Sequence, residues 1–292
     1  MGHDHHHHST NNIKVAFWLN FIFTIIEIIG GFYTNSIAIL SDALHDLGDT
    51  MALGIAWFLD KFSKKKRDKR YSYGYGRFSL LAAFINALIL MLGSVFILYE
   101  AIPRLFNPVQ PDANGMILLA IGGVFFNGAA VLKMRSGKSQ NEKVVSWHLM
   151  EDVLGWVAVL MGSIIMKFWE APIIDALLSV GFTMFIFYNV FKNFITTVRI
   201  FLQAKPDHIN EQEVVEKVVK LPQILSVHDT HLWSIDGEKV VFTMHIVVSK
   251  MLKPNDIIEV KKAIRNLGKQ YLIDHITVEI EYENEECELE DC

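Results

Sequence analysis

Cysteine is nearly missing from this 292-residue chain: its two copies, Cys287 and Cys292, both fall in the final segment. No disulfide framework therefore holds the fold. No His-Glu-x-x-His motif occurs, which removes a common hydrolytic zinc signature. No basic stripe with interleaved aromatics is present and the net charge is only −5, so nucleic acid is not an expected partner. The opening MGHDHHHHSTNN lacks a basic n-region, an adjoining short apolar core and a small-residue cleavage site. A cleaved signal peptide is not expected, and the first apolar segment is read as a retained span. Charge is scarce as well, at 20% of residues against 51% hydrophobic, a balance that a soluble surface seldom allows.

What is present is a series of long apolar runs. A bilayer core needs about 20 apolar residues per helix, and residues 13–33, 36–59, 78–102, 113–134, 144–168 and 173–195 each qualify. A tight turn at Thr34-Asn35 joins the first two, and the turn-rich Asn107-Pro108-Val109-Gln110-Pro111-Asp112 joins the third and fourth. Pro172 is expected to start the last span. The other connectors are basic. Lys61, Lys64, Lys65, Lys66, Arg67, Lys69 and Arg70 follow span two, and Lys133, Arg135, Lys138 and Lys143 follow span four. The positive-inside rule puts these loops and both termini in the cytoplasm. The chain is thus read as an N-terminal segment (1–12), a six-helix membrane domain (13–203), a soluble α+β domain (204–283) and an acidic tail (284–292).

Ionisable side chains inside a bilayer are costly, by at least about 2.5–3.5 kcal/mol for Asp on insertion scales. Span two nevertheless carries Asp42, His45, Asp46 and Asp49, and span five carries His148, Glu151 and Asp152. One spacing repeats: His45-x-x-x-Asp49 and His148-x-x-x-Asp152. Residues four apart share a helix face, so two such faces opposed would gather two imidazole nitrogens and two carboxylates. That donor set suits tetrahedral zinc, and its charge of −2 balances the ion. Because the ligands bind deprotonated, metal uptake must release protons. Asp42 shares the face of His45 and Asp49; it is either an acceptor or proton relay beside the ligands or a cap for span two. Asp46 and Glu151 are offset by about 100° from the neighbouring ligands and are left out of the set.

At these residues the sequence resembles the cation diffusion facilitator family of zinc transporters. The matching text includes Glu27-Ile28-Ile29-Gly30-Gly31, the stretch Asn35 to Asp49, Tyr71-Ser72-Tyr73-Gly74-Tyr75-Gly76-Arg77, His148-Leu149-Met150-Glu151-Asp152 and Val227-His228-Asp229-Thr230-His231-Leu232-Trp233. The resemblance implies a homodimer that exports zinc from the cytoplasm in exchange for protons by alternating access, with a ferredoxin-like cytoplasmic domain after span six. It points to a bacterial inner membrane, and His45 points to zinc, with cobalt or cadmium as further substrates. No organic cofactor is implied. Some relatives bind an ion through histidines in the loop after span two, where this chain has Tyr71 and Tyr75, so that loop site is expected to be absent. Others join their two parts by an ion pair, for which Arg77 with Asp207 would be the equivalent here.

From about Pro206 the pattern changes. Residues 211–221 read as an amphipathic helix, 224–235 and 239–249 as strands joined through Asp236-Gly237, 255–271 as a helix capped by Asn255, and 275–283 as a last strand. Histidines recur in this part, and a strand histidine is as often a surface or core residue as a ligand. The resemblance favours a regulatory zinc site from His228, His245 and Glu281 or Glu279, with His275 joining them and Cys287 and Cys292 as thiolate donors. His3, His5, His6, His7 and His8 read as a weak metal-collecting arm or an engineered tag. Two rival classes make different demands. A membrane metallohydrolase would keep one zinc position open for water, whereas both His/Asp pairs together fill all four. A metal sensor anchored by its spans would not move ions.

Overall fold

Asn35 adopts φ 52°, a left-handed backbone that asparagine tolerates better than most residues. The turn this makes lets Ser36 N–H reach Gly31 O at 3.1 Å, closing the first helix. The sixth helix ends in the same way: Gln203 at φ 59° lets Ala204 N–H reach Arg199 O at 2.9 Å. The computed structural model describes residues 5–63, 65–135, 140–285 and 287, and the side chains among them outside 5–16, 19, 52–53, 55–63, 133–135 and 140–148. The long helices are α1 (His5–Thr34), α2 (Ile37–Ser63), α3 (Arg77–Phe106), α4 (Ala113–Arg135), α5 (Gln140–Trp169) and α6 (Ile173–Phe201).

Arg77–Phe106, Ala113–Leu132, Leu149–Trp169 and Ile173–Phe201 are long and apolar enough to cross a bilayer, and Asn20–Thr34 adds a shorter apolar helix. Their burial runs opposite to that of soluble helices. On α4, Leu118, Phe125 and Leu132 are exposed while Ala113, Met116, Ala120 and Ala130 are buried. Helices bathed in hydrocarbon place small residues at their contacts and bulky apolar ones outward. Gly31 shows why: a Cβ there would lie 2.7 Å from Leu40 Cδ2 on α2.

The chain divides into two compact units, Met1–Trp57 with Ile85–Phe194, and Phe58–Phe84 with Ile195–Cys292. The second contains α7 (Glu211–Val219), β1 (Ile224–Ser234), β2 (Val240–Val248), α8 (Pro254–Gln270) and β3 (His275–Tyr282), the αββαβ order expected. Asn210 caps α7, its Oδ1 accepting from Gln212 N at 3.1 Å. The start of α8 differs from the expected cap at Asn255. Lys253 is the cap and Pro254 takes the first helical position, with Lys253 N–H donating to Asp256 Oδ2 at 3.0 Å. Proline's fixed φ suits that place.

The sheet order is β1-β2-β3, with β2 antiparallel to β1 and parallel to β3. On the middle strand β2, Val240, Phe242, Met244 and Ile246 share one face and pack with Val214, Val218, Val260 and Ile264. The odd positions of β2 therefore face the opposite side of the sheet, His245 among them. Phe242 is wholly buried at the centre of this core. Phe242→Ala is expected to cost about 3–5 kcal/mol, measured by chemical unfolding of a fragment beginning at residue 204.

Candidate metal sites

On α2, His45 Nε2 lies 3.5 Å from Asp49 Oδ2, as side chains one helical turn apart must. Asp42 points to α5: a Cβ built on Gly155 would sit 3.8 Å from Asp42 Oδ1. Gly155 is three residues beyond Asp152 and so shares its face of α5. Asp152 itself is buried between Leu149 and Trp156, also buried. The acidic face of α2 and the Asp152 face of α5 are thus opposed. The side chain of His148 lies outside the described residues, and its backbone falls within α5, four residues before Asp152.

Two further carboxylates belong to this neighbourhood. Glu27 on α1 and Asp46 on α2 are 0% and 1% exposed; Glu27 faces the Trp156 indole, and neither oxygen of Asp46 has a hydrogen-bond partner among the described residues. Glu27 is within electrostatic reach of Asp42 and Asp152, and Asp46 of Glu27. The sequence reading set Asp46 aside on its helical angle and did not weigh Glu27 as a site residue. A signal existed for Glu27: it is the only acid in residues 13–33, and Asn20 and Thr24 precede it on one stripe.

In the second unit a compact group of donors forms. His228, His245, Glu281 and Cys287 each offer a ligand atom, all within 4.8 Å of one another. The register explains it. His228 pairs with His245 across β1 and β2, and His245 with Glu279 across β2 and β3, so Glu281 sits one diagonal step away. His245 Nδ1 lies 2.7 Å from Glu281 Oε1, His228 Nε2 3.3 Å from Glu281 Oε2, and His228 Nε2 3.4 Å from Cys287 Sγ. Two imidazoles, one carboxylate and one thiolate make a tetrahedral donor set of charge −2, which fits zinc. On its outer nitrogen His245 faces Asp229 at 3.4 Å and Glu279 at 3.5 Å. Burial alone would raise the Glu281 carboxyl, but bonds from Cys287 and His245 and the facing His228 hold it below the usual carboxylate range.

Other expected residues lie elsewhere. His275 stands at the opposite end of β3 from Glu281, with its ring 5.8 Å from that of Tyr73. The two are six positions apart on the strand, about 20 Å at the usual rise, so His275 does not reach the cluster. Cys292 and His3 lie outside the described residues, as do the side chains of His5, His6, His7 and His8. The expected ion pair of Arg77 with Asp207 is replaced. After the left-handed Gln203 the chain doubles back, and Asp207 Oδ1 meets Arg199 Nη2 at 3.0 Å instead. Both groups are exposed, so the pair contributes little to stability. In the loop after α2, the Tyr71 and Tyr75 rings pack 4.6 Å apart, and Tyr75 Oη donates to Asp68 at 2.7 Å.

Comparison with known proteins bears on this arrangement. A family model described as the cation efflux transmembrane domain matches residues 13–202, and one described as the cation efflux protein cytoplasmic domain matches residues 206–283. The chain belongs to the cation efflux family. Within this family, the metal cation efflux system protein CzcD of Cupriavidus metallidurans is 33% identical over 96% of this chain and 90% of its own length. Zinc transporter ZitB of Pectobacterium atrosepticum is 31% identical over 100% of the chain and 92% of its own. A cadmium, cobalt and zinc/H(+)-K(+) antiporter of Bacillus subtilis is 31% identical over 97% and 93%. The cation efflux proteins are integral membrane transporters and not enzymes, which disposes of the hydrolase alternative.

His245→Ala is expected to weaken zinc binding by the fragment beginning at residue 204 at least about tenfold, while His231→Ala leaves it unchanged, in titrations against a competing chelator. Because the folded pKa of Glu281 lies below its unfolded value, its stabilising effect is full above the ordinary carboxylate range and is lost as pH falls through the depressed value. Glu281→Gln should therefore flatten the acid limb of thermal melts of the metal-free fragment.

Proposed function

We propose that this cation efflux protein exports zinc from the cytoplasm in exchange for protons, through a site formed by His45, Asp49, His148 and Asp152. The observation that carries this reading is the opposition of two helix faces: Asp42 on α2 approaches Gly155 on α5, the face that also bears Asp152. The repeated His-x-x-x-Asp spacing then aims four donors at one region. The names of the relatives range over zinc, cadmium and cobalt, and a tetrahedral set of two imidazoles and two carboxylates suits zinc among them.

Charge drives the exchange. Loaded with a divalent substrate, two aspartates and two neutral imidazoles make a neutral site. Once the ion leaves, buried carboxylates cannot stay bare in a medium of low dielectric, and protons replace it. The same competition run from the other side discharges the metal, so alternating exposure of a fixed site couples the two fluxes. Asp42 is placed to relay protons. The protein works as a homodimer in a bacterial inner membrane with both termini in the cytoplasm, a reading supported for the termini by the basic loops after spans two and four. The cluster of His228, His245, Glu281 and Cys287 senses cytoplasmic zinc and regulates transport, and the histidines near the N-terminus collect the ion.

Zinc flux into inverted membrane vesicles tests the proposal. Asp49→Ala and Asp152→Ala should each reduce flux to background while leaving the dimer intact by size-exclusion chromatography. Collapse of an imposed pH gradient should slow the wild type. Transport at the wild-type rate by either variant would falsify the site assignment. Flux indifferent to the pH gradient would remove the proton from the mechanism.

A further inference from the structure

Directional bonds tie α2, the helix that carries His45 and Asp49, to α6 as well as to its own first turn, where Ile39 N donates to Ser36 Oγ at 3.2 Å. Asp175, in the first turn of α6, is 1% exposed. Its Oδ2 accepts from Ile37 N at 2.9 Å, and its Oδ1 accepts from Ser36 Oγ at 2.5 Å and from Ala38 N at 3.3 Å. Ile37 is the first residue of α2, so the acid caps that helix from a neighbour 138 residues away in sequence. Arg104 of α3 holds the preceding turn, donating to Asn35 O at 2.9 Å and to Asn35 Oδ1 at 3.0 Å. Two turns further along α6, Thr183 Oγ1 meets Ser41 Oγ of α2 at 2.7 Å. Asp175, Ser179 and Thr183 recur every fourth residue and all are buried, so they form one stripe facing α2.

Ser41 stands one turn before His45 on α2. Round the helix, His45 lies about 40° from Ser41 and about 60° from Asp42. The ligand stripe is therefore flanked by one residue bonded to α6 and another that faces Gly155 of α5. Rotating α2 by 20° would move a ligand atom about 6 Å from its axis by about 2 Å, ten times the tolerance of a zinc bond of about 0.2 Å. Apolar packing in lipid resists such rotation weakly because it has no direction, whereas the bonds to Asp175 and Thr183 fix the angle.

We propose that Asp175 and Thr183 are positioning residues that set the rotation of α2 and thereby the preference for small tetrahedral zinc over larger cadmium. A slack α2 lets the site widen, which hurts the ion with short bonds and spares the ion with long ones. The proposal rests on the assignment of His45 and Asp49 as ligands of the transported ion.

The test measures zinc and cadmium flux in vesicles, each normalised to folded dimer, for Asp175→Ala, Asp175→Asn, Thr183→Val and Ser41→Ala. The cadmium-to-zinc ratio should rise about fivefold in Asp175→Ala, which loses three hydrogen bonds, and less in Thr183→Val, which loses one. Asp175→Asn, which retains an acceptor, should recover most of the wild-type ratio. A purely structural role would lower the folded amount and leave the ratio alone, which overturns the proposal. If Asp175→Ala does not fold, an unchanged ratio in both Thr183→Val and Ser41→Ala overturns it equally. Failure of the ligand assignment reads out separately, as transport surviving in His45→Ala.

Discussion

Everything in the first unit follows from the expense of an unneutralised charge in a medium that cannot solvate it. Glu27, Asp46 and Asp152 lie buried and Asp42 half-buried, with one another in electrostatic reach. A cluster of this kind persists only where a mobile positive charge, metal or proton, visits it. The same expense shapes the backbone. Helix ends have unpaired groups that water would satisfy elsewhere, so the turn after α1 closes through Asn35 and the start of α2 is supplied with an acceptor from α6.

The second unit handles its charges by cross-strand register. His228, His245 and Glu281 come from three strands, and alternation puts them on the side of the sheet away from Phe242 and Met244. Cys287 joins from the segment after β3. The core and the donor cluster are thus two faces of one sheet, and β2 contributes alternately to both.

Much of this was legible in the chain. The six apolar runs and the repeated His-x-x-x-Asp spacing are local patterns, and helix periodicity alone places each pair on a face. The αββαβ order was readable because alternation in β3 and the Asp236-Gly237 turn are local too. What escaped depends on partners distant in sequence. Glu27 has no repeat on another helix to mark it, and Asp46 looked misplaced because its angle was judged against one helix rather than a bundle of several. His275 was grouped with Glu281 because both belong to one strand, yet only the pairing with β2 shows which end of β3 carries the cluster. Asp207 found Arg199 because Gln203 reverses the chain, and a left-handed glutamine has no clear sequence signal.

The cap on α2 has a consequence for biogenesis. A helix whose first N–H groups are satisfied by the last span cannot reach its final state while the chain is still being threaded into the membrane. Until α6 arrives, α2 lacks its bonds to Asp175 and Thr183. In a partly inserted bundle the first N–H groups of α2 therefore wait for Asp175, and the order in which spans arrive decides when that helix end is satisfied.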